Sequence, residues 1–213
     1  MARITIIGGT GYAGSNIARA AAARGHQVTS LSRTLPAERL DGVEYVSGSV
    51  LDTAFLARVT DGADVVVSAL SPRGELAGRT RGVIAEVAAQ AAAAGVRLGV
   101  VGGAGSLQVA PGGPKVVETE GFPEEFKAEA LEMEAVLDDL RASQDLDWFY
   151  LSPAGGFGAF APGEAKGAYR TGDDVLLVDD EGRSEISGPD LAAAVVDEIE
   201  TPAHRRRRFT VAY

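Results

Sequence analysis

Residues 3–14 read Arg3-Ile4-Thr5-Ile6-Ile7-Gly8-Gly9-Thr10-Gly11-Tyr12-Ala13-Gly14, an apolar, β-branched run passing directly into glycines spaced Gly-x-x-Gly-x-x-Gly. A tight strand-to-helix turn needs a residue without a Cβ, and a phosphate must approach bare backbone N–H groups. Gly8 is expected to make the turn, Gly11 to admit a pyrophosphate, and Gly14 to let the helix sit against the strand. Glycine triplets alone are weak signals. This one follows a strand and opens a helical run from Ser15 to Arg24, which Gly25 closes in the position just past a helix end. It reads as a dinucleotide pyrophosphate site; the competing reading is a glycine-rich turn with no ligand.

Downstream, strand-like runs at Ile4–Ile7, Gln27–Leu31, Val43–Ser47, Val65–Leu70, Leu98–Gly102 and Trp148–Leu151 alternate with helical stretches at Ala13–Arg24, Thr53–Val59, Gly82–Ala94 and Pro123–Arg141. Such alternation predicts an α/β fold, a Rossmann-type doubly wound and mostly parallel sheet with helices on both faces. In the helix after Pro123, Phe126, Ala130, Met133, Leu137 and Leu140 share one face, predicted to cover the sheet. The Gly- and Pro-rich stretch 102–121 reads as an ordered loop over the carboxyl ends of the strands. From Gly155 the pattern becomes a Gly-rich loop, a strand Val175–Val178, a turn at 180–182, a strand Arg183–Ser187, a helix Asp190–Glu200 and a last strand Phe209–Tyr213. Residues 1–213 are therefore expected to form one domain, with 155–213 as a small substrate-side elaboration.

Composition narrows the chemistry. The chain has no cysteine and two histidines, His26 and His204, which excludes disulfides, thiolate catalysis and Cys-ligated metals and leaves little for any metal site. Redox chemistry must then come from a bound organic cofactor. A formal charge of −10 disfavours nucleic acid as a partner. The longest apolar run, Ala91 to Val101, is interrupted by Arg97, so no membrane association is expected, and the start lacks signal-peptide character. The expected setting is cytoplasmic, as a monomer or homodimer. The basic cluster Arg205–Arg208 reads as a solvated turn facing Asp197, Glu198 and Glu200, or as a contact for a protein partner.

Nucleotide choice follows from the end of the second strand. Where NAD is preferred, a carboxylate about twenty residues past the glycines takes the ribose hydroxyls. Here the strand ends Leu31-Ser32-Arg33-Thr34, with no acid before Glu38. An arginine fork pairs with a 2′-phosphate, and Ser32 adds a hydrogen bond. NADPH is predicted over NADH, the alternative for Arg33 being a solvent-facing residue at a strand end.

The glycine motif, Ser49-Val50-Leu51-Asp52, Val101-Gly102-Gly103-Ala104-Gly105-Ser106, the stretch Trp148 to Gly155 and the tail Gly182 to Glu200 together resemble the atypical short-chain dehydrogenase/reductases. Within that superfamily the chain is most similar to small bacterial NADH-flavin reductase-like proteins, relatives of the flavin/biliverdin reductases and the NmrA-like redox sensors. The resemblance implies that Gly8, Thr10, Gly11, Tyr12, Ala13 and Gly14 face the pyrophosphate and that Ser49 and Val50 lie beside the adenine. It further implies Ser68, Ala69 and Leu70 along the pyrophosphate-to-ribose path, Pro153, Ala154 and Gly155 near the nicotinamide, and Gly102 among the cofactor-binding residues.

The superfamily's acid/base pair, a tyrosine followed four residues later by a lysine, is absent. Tyr12, Tyr45, Tyr150 and Tyr169 are followed at that spacing by Asn16, Ser49, Ala154 and Asp173, and Tyr213 is the last residue. Hydride transfer to a flavin-like or quinone-like acceptor needs mainly a stacked, oriented acceptor and takes its proton from water, so the expected activity is a reductase that works without that pair. Ser106 is the candidate for hydrogen-bonding the acceptor, or else a loop serine bonding local backbone. Phe157 and Phe160 read as an apolar wall or as core. The alternative function is a non-catalytic NADP sensor; an isomerase or epimerase fits less well, because that chemistry uses the missing tyrosine.

Overall fold

A computed structural model describes all 213 residues. Eight strands form one sheet in the order β3-β2-β1-β4-β5-β6-β8-β7. They are β1 (Arg3–Ile7), β2 (Gln27–Ser32), β3 (Val43–Ser47), β4 (Val65–Ser68), β5 (Arg97–Val101), β6 (Trp148–Ser152), β7 (Arg170–Gly172) and β8 (Arg207–Ala212). All neighbours run parallel except β7, which pairs antiparallel with β8. The helices are α1 (Tyr12–Ala23), α2 (Thr53–Leu56), α3 (Thr80–Ala94), α4 (Glu124–Ala142) and α5 (Gly188–Glu200). This is the doubly wound α/β architecture that the alternation of elements predicts.

Strand alternation sorts the core into two layers. On one face Ile4, Ile6, Val67, Phe149, Leu151, Phe209 and Val211 meet Ile17, Ala18 and Ala21 of α1 and Leu191, Val195 and Val196 of α5. On the other face Val66, Leu98, Val100, Trp148 and Tyr150 meet Val83, Ile84 and Val87 of α3 and Met133, Val136, Leu137 and Leu140 of α4. Sheet strands buried on both faces explain the near-continuous apolar runs in the sequence.

The structure departs from the sequence reading in four places. Helix α4 turns Phe126 to the surface, 39% exposed, where Arg73 lies 5.4 Å over its ring, so the covering stripe starts one turn later. Val175 and Glu185 make single bridges only, while the three-residue β7 at 170–172 carries the antiparallel pairing. Phe160 is 72% exposed and is not core, whereas Phe157 packs partly against the α1/α5 layer. Of the basic stretch at 204–208, only His204 meets one of the three expected acids, Glu198, and the arginines take other partners. Arg205 pairs with Asp147, Arg206 donates to the Ser143 carbonyl, and Arg208 is buried against Asp174. Asp197 and Glu200 take Arg24 instead.

Glu198, 3% exposed, accepts from Arg97 Nη2 and from the backbone N–H groups of Ala203 and His204. Arg97 lies over the Phe149 ring at 4.8 Å, and His204 stacks on Phe209 at 4.1 Å, so the network pins the end of α5 to the sheet. Burial by itself raises the Glu198 carboxyl, but Arg97 and the His204 and Ala203 donors outweigh it and hold the group below its ordinary value. A depressed carboxyl contributes stability above its unfolded value and loses it as pH falls through the folded one. Glu198→Gln is therefore expected to cost about 3 kcal/mol in urea unfolding at neutral pH, by leaving buried Arg97 with only the longer 3.4 Å ion pair to Asp147. The gap from wild type narrows as pH drops below about 4.5, the unfolded value.

Candidate functional site

The order β3-β2-β1-β4 reverses direction between β1 and β4, and in open parallel sheets that switch point leaves a crevice at the carboxyl ends of the strands. A cavity of about 330 Å³ opens there. Gly8, at φ +81°, makes the turn out of β1; a Cβ at this position would fall 2.9 Å from the Ala69 carbonyl oxygen. Gly14 sits so close to the turn that a Cβ would fall 2.3 Å from the Gly8 oxygen. Gly11 is the N-cap of α1 and brings no side-chain acceptor, and the first turn carries no acid. The first helical i→i−4 bond is made by Ser15 to Gly11, so the amides of Tyr12, Ala13 and Gly14 have no backbone acceptor and lie at the positive end of the helix dipole. Those of Gly8 and Gly9 are taken by the Leu31 carbonyl and that of Gly11 by the Gly8 carbonyl. Uncapped amides and a concave wall at a switch point suit a diphosphate.

Of the residues expected at the nucleotide, Gly8, Thr10, Gly11, Ser32, Arg33, Ser49, Val50, Ala69 and Leu70 line this cavity together. Ala13 and Gly14 lie behind it in the first turn of α1. Ser68 is buried at the end of β4, and Gly102 lies where a Cβ would run into the Tyr150 ring. Pro153 and Ala154 are buried, with Ala154 in the α1/α5 layer; Gly155 is exposed and donates its N–H to Ser184 Oγ at 3.0 Å. Tyr12 turns away from the cavity. Its hydroxyl donates to the Pro162 carbonyl and accepts from Gly188 N, both at 3.1 Å, and its ring lies 5.4 Å from Phe157.

Ser106 has a different partner from the one expected. It is 7% exposed and accepts from Arg208 Nη1 at 2.8 Å. It lines a separate polar hollow with Gln108, Lys115, Glu134 and Asp174, which shares no residue with the crevice. A buried guanidinium needs such acceptors, and the hydroxyl serves that structural need. Two wider hollows, of about 420 and 510 Å³, lie against α4 and at the amino ends of β1 and β2; neither touches the glycine turn.

Several crevice residues were not legible in the sequence. Phe55 and Leu76 add apolar wall, and Arg73 and Glu75 add charge on the loop after β4. Arg33 Nη1 donates to Glu75 Oε2 at 2.6 Å across the rim, 42 residues apart in the chain. Arg73 and Ser71 are both held by Glu129 of α4. No local spacing announces these partners; tertiary folding brings them in.

All five tyrosine hydroxyls are engaged by protein. Besides Tyr12, Tyr45 accepts from Leu40 N, Tyr150 donates to the Met133 carbonyl, and Tyr169 and Tyr213 donate to Asp197 and Asp190. Burial first, then the Asp197 carboxylate, raises the Tyr169 phenol; burial raises Tyr150 despite nearby Arg208. None of the five lines the crevice.

A model of the NAD(P)H-binding family matches residues 8–202. The chain is similar to the crystal structure of a candidate exported protein from Burkholderia pseudomallei, at 44% identity over the whole of both chains and a TM-score of 0.86. It is similar to a candidate epimerase from Bacteroides thetaiotaomicron, at 33% identity over all of this chain and 97% of that one, TM-score 0.89. A candidate NADH-flavin reductase from Streptococcus pneumoniae matches at 29% identity over 100% and 99% of the two chains, TM-score 0.86. No helix is long and apolar enough to cross a membrane.

Gly14→Ala should lower stability by about 1–3 kcal/mol through overpacking against the turn. Gly82→Ala, in α3 where a Cβ meets open space, should instead raise it by about 0.5–1 kcal/mol. Urea unfolding of the two variants beside wild type checks both signs.

Proposed function

Because the chain belongs to the NAD(P)H-binding family, we propose that it is an NAD(P)H-dependent reductase of flavin-like or quinone-like acceptors, with NADPH preferred. The observation that carries this reading is the crevice at the β1/β4 switch point, faced by the uncapped amino end of α1. The free amides of Tyr12, Ala13 and Gly14 would hold the pyrophosphate, with Gly8, Thr10 and Gly11 as the wall beside it, and Val50, Phe55, Leu70 and Leu76 would give the adenine an apolar slot. Arg33, with Ser32 beside it, meets the 2′-phosphate. A nicotinamide held there would supply a hydride to the acceptor, with the accompanying proton drawn from water.

The chain's own contribution is binding and orientation rather than acid/base chemistry. Every tyrosine hydroxyl is engaged by protein and none of the five lines the crevice, which disfavours phenol-driven carbonyl or epimerase chemistry. The exposed Phe160 on the loop after β6 and the half-buried Phe157 offer aromatic surface on the expected acceptor side. The same lack of a crevice tyrosine favours, as a second reading, a sensor that binds NADP without turnover. The name of the S. pneumoniae relative supports the reductase reading, and that of the B. thetaiotaomicron relative supports epimerisation.

Titration calorimetry should show NADPH binding, and saturation at a hundred times the dissociation constant should stabilise the fold by about 2.7 kcal/mol. Arg33→Ala should weaken NADPH about tenfold and NADH little. Loss of reduced-nicotinamide absorbance with FMN, riboflavin or small quinones separates the two readings. Turnover supports the reductase. Binding without turnover, with unequal affinity for the oxidised and reduced forms, supports the sensor, and no binding by either nucleotide removes both.

A further inference from the structure

The Arg33–Glu75 pair spans the rim of the crevice, joining the end of β2 to the one-turn 3₁₀ helix Gly74–Leu76 that follows β4. Both side chains line the cavity, and they are 60% and 70% exposed, so solvent and ligand reach them freely. Glu75 Oε2 already takes one N–H of the Arg33 fork at 2.6 Å. A 2′-phosphate needs that fork and carries negative charge, so it competes with the carboxylate for Arg33 and is repelled by it. A ribose bearing a free 2′-hydroxyl faces neither penalty, and a carboxylate accepts a hydrogen bond from it.

We infer that Glu75 is a specificity-determining residue that restrains the preference of this site for NADPH over NADH. The inference rests on the reading of the crevice as a nucleotide site with Arg33 at the 2′ position. Arg33 and Glu75 then act with opposite sign on the same ligand group. Arg73, the other cation on the rim, is committed to Glu129 at 2.6 Å and does not relieve Glu75. Glu75 is exposed, and Arg33 is its one side-chain hydrogen-bond and ion-pair partner, so its neutral isostere leaves the fold intact.

Dissociation constants for NADPH and NADH, measured by calorimetry on the full chain for wild type and Glu75→Gln, test this. The variant is expected to bind NADPH about threefold tighter, with NADH unchanged or weaker, in keeping with the modest energies of exposed charge pairs. Raising salt from about 0.05 to about 0.5 M should shrink that change in ratio, since the effect is between exposed charges. An unchanged or smaller preference for NADPH in Glu75→Gln, read as the dissociation constant of NADH divided by that of NADPH, overturns the inference and makes Glu75 an aid that orients Arg33. If wild type binds nucleotides while Glu75→Gln leaves the ratio unmoved, only this inference fails; if wild type binds neither nucleotide, the site reading fails with it.

Discussion

The seating of α1 on the turn out of β1 is the constraint from which the rest of the molecule is laid out. The Leu31 carbonyl of β2 accepts from Gly8 N and Gly9 N at 2.9 and 3.1 Å, and Ala69 N beyond β4 donates to the Ile7 carbonyl at 2.8 Å. Strands on both sides of β1 thus hold the turn before the helix begins. Gly11 N closes back on the Gly8 carbonyl, which leaves space for glycine alone at position 14. The axis of α1, and with it the direction of its dipole, follows from those contacts.

From that helix the constraint passes to the far end of the chain. Helix α5 packs on α1 so closely that a Cβ at Gly188 would fall 2.5 Å from Asn16 Nδ2 and 2.9 Å from Tyr12 Oη. Tyr12, a residue of the glycine motif, bonds both Gly188 at the start of α5 and Pro162 in the loop after β6. Tyr213 does the same from the other side, donating to Asp190 at 2.5 Å and accepting from Ser187 N. Asp190 also accepts from the amides of Lys166 and Gly167. Two phenols and one buried carboxylate therefore tie the loop at 157–167 to the helix that completes the nucleotide layer.

Elements whose cause is local were legible in the sequence. β1, α1 and the alternation that follows depend on strand propensity, glycine spacing and 3.6-residue periodicity, which travel with the residues themselves. The loops after Gly155 were not, because single bridges at Val175 and Glu185 depend on distant partners, Gln108 and Gly156. The crevice divides in the same way. Its glycine and β2-end residues come from motif spacing, whereas Glu75, Arg73 and Phe55 join through tertiary contact alone. Ser106 shows the limit: a serine just past a central strand satisfies Arg208, a cation whose burial no local pattern discloses.

Charge explains why the crevice must work at short range. The chain carries 30 acidic against 20 basic residues, so its far field opposes a phosphate-rich ligand. Salt at physiological strength confines such fields to about 8 Å. Within that distance the ligand meets what the folded rim presents, which is the amino end of α1 and two arginines, each with an acidic partner, Glu75 for Arg33 and Glu129 for Arg73. Recognition by oriented amides needs no titratable donor, and it survives the acidic surroundings because backbone dipoles are held in place by the sheet. The two arginine–carboxylate pairs lie at the rim, where water keeps the contribution of each exposed pair small.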